Sequence, residues 1–202
     1  HKPIKKFNKS ISAASVNNFK NYKFLKNKIK KNSKILEIGA GVGYLTALIT
    51  FFKKTGTYYI CDLPSTLEVL KKFIKLNFPE IEISYYSHQN SCIKNKTNII
   101  LVNNYEIENL KQKFDLIINI DSFGEMDKNV VDSYFNYAHK SLNYDGIFFI
   151  SNTHGHSNFS YKSPLNYPID RYFTIQKNFI SSPTARDNPS KYLTLELSLK
   201  KK

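Results

Sequence analysis

Glu37, three glycines at positions 39, 41 and 43, and Asp62 are the residues whose types and spacing most clearly carry chemistry. Residues 34–38 form a short apolar run with β-branched members, which predicts a buried strand, and residues 44–52 have the apolar content of a helix. Between them stands the loop Gly39, Ala40, Gly41, Val42, Gly43, where a ligand can approach the backbone with no Cβ in the way. The first helical turn then offers unpaired N–H groups and a partial positive charge to an anionic group. Asp62 closes the next predicted strand, residues 57–60, 23 positions after Gly39. An acid there can accept hydrogen bonds from both hydroxyls of a ribose. A dinucleotide fingerprint requires a third glycine where this chain has Tyr44, so the loop is of a different kind.

A second polar group lies at the end of the fourth predicted strand, in Asn119, Asp121, Ser122 and Glu125. Ligands of doubly wound sheets bind beyond the carboxyl ends of the strands, so these side chains are expected at the site. Candidate proton acceptors are Asp121, Glu125 and His154, with His156 beside it; a histidine titrates in the useful range, and His154 follows the fifth strand. Asn103 and Asn104 stand where an amide could hydrogen-bond an adenine, or could serve turn chemistry. His88 and His139 read as surface residues. No His, Asp, Glu or Cys spacing argues for a metal, and Cys61 and Cys92 make no disulfide framework.

Strands and helices must alternate to position these groups. A stripe at Val16, Phe19, Tyr22 and Leu25 predicts a helix over residues 13–29, either a lid over the mouth of the sheet or a helix packed on its edge. Residues 64–76 form a helix opened by Pro64. Residues 81–86 and 99–102 are both strand candidates, of which the second is preferred as the third parallel strand. Residues 115–120 follow as the fourth strand, 127–142 as a helix and 147–150 as the fifth strand. The alternating segments 173–180 and 192–199 close the sheet as an antiparallel pair. The expected fold is α/β: a Rossmann-like, doubly wound, mostly parallel sheet of seven strands with a C-terminal hairpin. Residues 1–33 are expected as a basic segment with the lid helix, its first ten residues disordered or peripheral, and residues 34–202 as the ligand-binding domain.

The 202 residues are 41% hydrophobic, enough for one globular core. No apolar run is long enough to span a membrane and no secretory signal opens the chain, so a cytoplasmic setting is expected. The chain opens at His1 without an initiator methionine, and upstream sequence is expected. The formal charge of +14 is unevenly spread: residues 1–34 hold 11 lysines and no acid. Only two of the 30 bases are arginine, whereas nucleic-acid interfaces lean on arginine's bidentate fork. A solvated lysine face and a patch for an anionic partner are both open readings.

The loop Glu37-Ile38-Gly39-Ala40-Gly41 resembles motif I of the class I S-adenosylmethionine-dependent methyltransferases. With Asp62-Leu63-Pro64 after the second strand and Asn119, Ser122, Phe123, Glu125 and Met126 after the fourth, residues 34–153 are similar to the sugar O-methyltransferases found among bacterial surface-polysaccharide genes. That family often has glutamine where this chain has Gly124. The resemblance implies S-adenosyl-L-methionine as cofactor, held by Glu37, Gly39, Ala40, Gly41, Gly43, Asp62, Leu63, Asn103 and Asn119. It also implies a sugar, nucleotide-sugar or glycan acceptor. Two rivals stand beside it. The same loop is similar to rRNA adenine dimethyltransferases, but Asp121 and Ser122 replace their proline and aromatic, which makes nucleic acid the minority partner. A cofactor-binding module without activity is the other rival.

Overall fold

The computed structural model describes residues 4–6, 9–11, 13–52, 56–87, 99–154, 161–181 and 191–200. Its frame is an eight-stranded sheet. The strands are β3 (Ile35–Ile38), β4 (Tyr58–Asp62), β5 (Ile83–Tyr85), β6 (Ile99–Asn103), β7 (Phe114–Ile120), β8 (Leu142–His154), β9 (Phe173–Ser181) and β10 (Lys191–Leu199). Their order is β5-β6-β4-β3-β7-β8-β10-β9. Every pairing from β5 to β8 is parallel, and β10 runs antiparallel to both β8 and β9. The strand order reverses at β3 and β7, where a crevice opens above their carboxyl ends.

The helices are α1 (Ala13–Leu25), α2 (Tyr44–Phe52), α3 (Pro64–Asn77), α4 (Lys128–Ser141) and the single turn α5 (Ile169–Tyr172). Both faces of the parallel strands are covered, which is why those strands are continuously apolar. Alternate residues feed two cores. Ile35, Ile60 and Ile118 pack with Leu45, Ile49, Leu67 and Leu70 from α2 and α3. Leu36, Cys61 and Ile117 pack on the other face with Phe123, Val131, Phe135 and Phe148. Among the described residues no helix is long and apolar enough to cross a membrane.

Three expectations change. The sheet has eight strands because residues 83–85 pair in parallel with the edge of β6, whose backbone groups would otherwise be unpaired; both strand candidates are therefore used. Residues 4–6 and 9–11 are β1 and β2, a small antiparallel hairpin apart from the main sheet. The first helix ends at Leu25, where the chain tightens: both Lys28 and Ile29 N–H groups donate to the Leu25 carbonyl. Lys28 then pairs with the buried Glu196 of β10 at 2.9 Å. Phe19, expected on the buried stripe, is exposed, while Tyr22, Leu25 and Ile29 are buried.

Candidate active site

A cavity of about 590 Å³ opens at the switch point, above the ends of β3, β4 and β7. Its floor is the glycine loop. Gly39, Gly41 and Gly43 all have positive φ (72°, 56° and 91°), a region that L side chains enter at a cost. Gly39 is pressed hardest, since a Cβ there would lie 2.1 Å from Ser122 Oγ. Ser122 is held in turn: Asn119 Nδ2 donates to Ser122 Oγ at 2.6 Å and to the Ile38 carbonyl at 3.0 Å. Asn152 Nδ2 donates to Asn119 Oδ1 at 2.8 Å. The fully buried Asn119 is thus a bracket that fixes the loop from behind.

Asp62 faces the loop from β4. Its Oδ2 accepts from Gly41 N–H at 3.0 Å and its Oδ1 from Leu63 N–H at 2.7 Å. The Thr66 hydroxyl and the Ala40 N–H also act on this carboxylate, and Ala40, Gly41, Leu63 and Thr66 all line the cavity with it. Burial raises the Asp62 carboxyl above the usual range, against the lowering effect of those N–H groups.

Glu37 lies beneath, only 3% exposed. Its Oε2 accepts from Thr46 Oγ1 at 2.7 Å and Tyr58 Oη at 2.8 Å. Burial lifts this carboxyl from 4.5 to about 7, the two hydroxyls oppose that, and the charge of Asp62 adds to it. The folded state therefore holds the proton more tightly than the unfolded chain. The stability from this group is greatest below pH 4.5 and is lost as pH rises toward about 7. The difference across that window is about 3 kcal/mol. Glu37→Gln should remove this fall, seen as a flatter profile of urea unfolding free energy against pH; a variant with the wild-type slope would refute the assignment.

Asp121 stands on the rim, after β7, with φ 58° and no glycine to relieve it. A residue held in that conformation is overdetermined by its surroundings. Its N–H donates to the Ser151 carbonyl, Tyr192 Oη donates to its Oδ2 at 2.8 Å, and Thr153 Oγ1 donates to its Oδ1 at 3.3 Å. Loss of water around it raises the carboxyl, and the two hydroxyls partly offset this. A carboxylate of raised pKa with both oxygens oriented is a competent proton acceptor. Glu125 lines the same rim.

The structure brings Glu37, Gly39, Ala40, Gly41, Asp62, Leu63, Asp121 and Glu125 to the cavity. Gly43 and Asn119 support it from behind. Two expected residues lie elsewhere. Asn103 donates to Glu106 at 2.8 Å, and its neighbour Asn104 lines the cavity instead. His154 Nδ1 is 2.8 Å from Ser163 Oγ, away from the lining; β8 simply runs on to that residue. His88 and His156 lie outside the described residues.

Sequence reasoning missed Asn17 and Asn18, which the first turns of α1 place on the cavity wall. The lid reading of that helix fits this placement, and the stacking of Tyr22 on Phe52 of α2 fits the edge reading as well. Tyr192 was missed too, because it arrives only through the β8–β10 pairing, opposite Thr153. The charge of the wall is uniform: Glu37, Asp62, Asp121, Glu125 and Asp127 line the cavity, and no lysine, arginine or histidine does among the described residues. Cys61 also reaches it, but burial pushes its thiol up to about 12, which leaves it a poor nucleophile.

The spermine/spermidine synthase domain profile matches residues 22–192. The chain belongs to the spermine/spermidine synthase domain family. That match runs from the last turn of α1 to the start of β10, and so takes in the glycine loop, Asp62 and Asp121 but not Ala14, Asn17 and Asn18 of the cavity wall. No curated protein matches the chain. Among solved structures, a magnesium protoporphyrin IX methyltransferase from Synechocystis with bound S-adenosylhomocysteine is 11% identical. The likeness covers 93% of this chain and 84% of that one, with a TM-score of 0.65. An S-adenosylmethionine-dependent methyltransferase from Clostridium acetobutylicum is 15% identical, covering 94% and 92%, with a TM-score of 0.63. An rRNA methylase from Streptococcus thermophilus is 14% identical, covering 90% and 95%, with a TM-score of 0.59. These likenesses establish that this spermine/spermidine synthase domain has the α/β Rossmann-like methyltransferase fold.

Proposed function

We propose that the protein is an S-adenosylmethionine-dependent O-methyltransferase acting on a hydroxyl of an uncharged sugar or glycan. The observation that carries this is the pairing of the glycine-loop floor with an oriented carboxylate, Asp121, on the same cavity. Glu37, Asp62 and the loop amides are the groups for the cofactor, and solved structures of this fold hold its demethylated product. The cofactor supplies an activated methyl on a sulfonium. The acidic wall suits that cation, with Glu37 partly protonated near neutral pH, and a sulfonium needs no further activation of the leaving group.

The residues of this chain then do two things. The loop and Asn17, Asn18 and Asn104 position ligands, so that the acceptor oxygen meets the methyl in line. Asp121 would take the hydroxyl proton as the carbon–oxygen bond forms and the methyl–sulfur bond breaks, S-adenosylhomocysteine being the leaving group. The acid-only wall weighs against acceptors that carry phosphate near the reacting centre, which disfavours nucleotide sugars and RNA.

The same wall favours a second reading, in which the methyl acceptor is a cationic amine. Label transfer from methyl-labelled S-adenosylmethionine to neutral oligosaccharides, polyamines and RNA separates the three. The proposal expects label in the neutral glycan, and Asp121→Asn to lower kcat by about 10²–10⁴-fold with cofactor affinity kept. Asparagine tolerates the positive φ, so the variant should fold. Label in the polyamine alone would transfer the conclusion to the amine reading.

A further inference from the structure

The strongest feature outside the cavity lies at the opposite end of the sheet. Parallel strands place the N-termini of α2 and α3 at the cavity and their C-termini at the far end, where α1 also runs out. Five aromatic rings form an unbroken ridge down this side. Phe19 is 6.5 Å from Tyr22, Tyr22 5.3 Å from Phe52, Phe52 4.8 Å from Phe51, and Phe51 6.2 Å from Phe78, centre to centre. The ridge is built on the buried Tyr22, and its phenylalanines are open: Phe51 is 67% exposed, Phe52 53% and Phe19 47%, and Leu76 at the end of α3 is 84% exposed. Exposed large apolar side chains that touch one another mark a contact surface rather than ordinary surface scatter.

The charge around the ridge has one dominant sign. Lys23 and Lys26 follow Phe19 at the four- and seven-residue helical spacing, and Lys30, Lys31 and Lys34 continue along the connector to β3, all exposed. Lys28 is spent on Glu196. Glu80 and Glu82, beyond α3, are the acids nearest in sequence to this end of that helix. The molecule is thus polarised, with carboxylates around the cavity and lysines with phenylalanines at the other end.

We infer that this end docks on an anionic phospholipid surface, the exposed phenylalanines entering the interface and the lysines meeting headgroup phosphates. Phenylalanine and leucine beside lysine are the composition of such contacts. Nucleic acid fits less well. The ridge carries no arginine, and its rings already cover one another, with Tyr22 stacked on Phe52 at 28°. A second copy would bring five lysines against five.

The test is co-sedimentation of the whole chain with vesicles of phosphatidylcholine alone and of phosphatidylcholine with phosphatidylglycerol. The wild type should partition onto the anionic vesicles at least about tenfold better, with the difference falling in salt. Each lysine near the surface contributes about fivefold, the factor for about 1 kcal/mol, so K30Q/K31Q should lose roughly twentyfold or more. F51S/F52S should abolish binding, and these exposed positions leave the fold intact by melting temperature. A wild type indifferent to anionic lipid would overturn the inference. So would lipid binding that neither double variant weakens, tighter binding to single-stranded RNA through the same phenylalanines, or a dimer that F51S/F52S dissolves.

Discussion

Phe123→Ala is expected to cost about 3–5 kcal/mol of folding stability, read as a drop in the urea midpoint at unchanged slope. The ring is fully buried in the three-residue 3-10 turn Phe123–Glu125 that leaves β7. It stacks near Tyr134 at 5.8 Å, lies 5.9 Å from Phe135, and meets Phe148 and Tyr167 edge-on at 6.3 and 5.8 Å. Truncation leaves a void among side chains from α4, β8 and the 161–167 segment, which come from separate parts of the chain and cannot all close on it. The phenylalanine of the signature after the fourth strand is therefore an anchor for the rim, not a ligand contact. Phe123→Leu should recover most of the loss. A cost below about 1 kcal/mol for the alanine variant would mean the turn is not locked in this way.

Gly39→Ala is expected to weaken binding of S-adenosylhomocysteine by more than about tenfold, a loss exceeding about 1.4 kcal/mol. Two penalties combine there. The backbone at φ 72° disfavours any Cβ, and that Cβ would sit 2.1 Å from Ser122 Oγ and 2.5 Å from Ser122 Cβ. Ser122 cannot swing aside freely, because Asn119 holds its hydroxyl. The loop or the rim must move, and both face the ligand. Gly41→Ala is the comparison for protein packing: its φ is 56°, but no protein atom lies within 4 Å of its added Cβ, so within the protein only about 1–2 kcal/mol of backbone strain applies. Adding Ser122→Gly to Gly39→Ala should restore part of the affinity by removing the clash. Equal losses at the two glycines, with no rescue, would show that the bracket does not control the loop.

The parts of the site that were legible in the sequence are those built by local geometry. Glu37, the glycine loop and the start of α2 lie within one strand–turn–helix, and Asp62 needs only the next parallel strand in register, Ile38 opposite Cys61. What was not legible depends on pairings between distant segments. Tyr192 reaches Asp121 across 71 positions and Asn152 reaches Asn119 across 33, and no local period announces either contact. Of the two candidate amides, Asn103 closes β6 and donates to Glu106, while Asn104 opens the following 3-10 turn and lines the cavity; the strand end alone does not tell them apart. His154 stands away from the cavity lining for a related reason. A strand end suggests the site, but β8 is 13 residues long, and its last side chain meets Ser163. Residues 81–86 were legible as a strand candidate, but three half-exposed residues carry too little periodic signal to show that they join the sheet beside β6 rather than replace it.

The central claim is that the glycine loop and Asp62 form a site for S-adenosylmethionine. Calorimetric titration with S-adenosylhomocysteine, on the wild type and on Asp62→Ala, addresses it most directly. The wild type should bind at micromolar concentration, and the variant more weakly by about 1–3 kcal/mol, the cost of losing a charged hydrogen-bond partner. A folded wild type that takes up no S-adenosylhomocysteine, or an Asp62→Ala protein that binds it equally well, would contradict the claim.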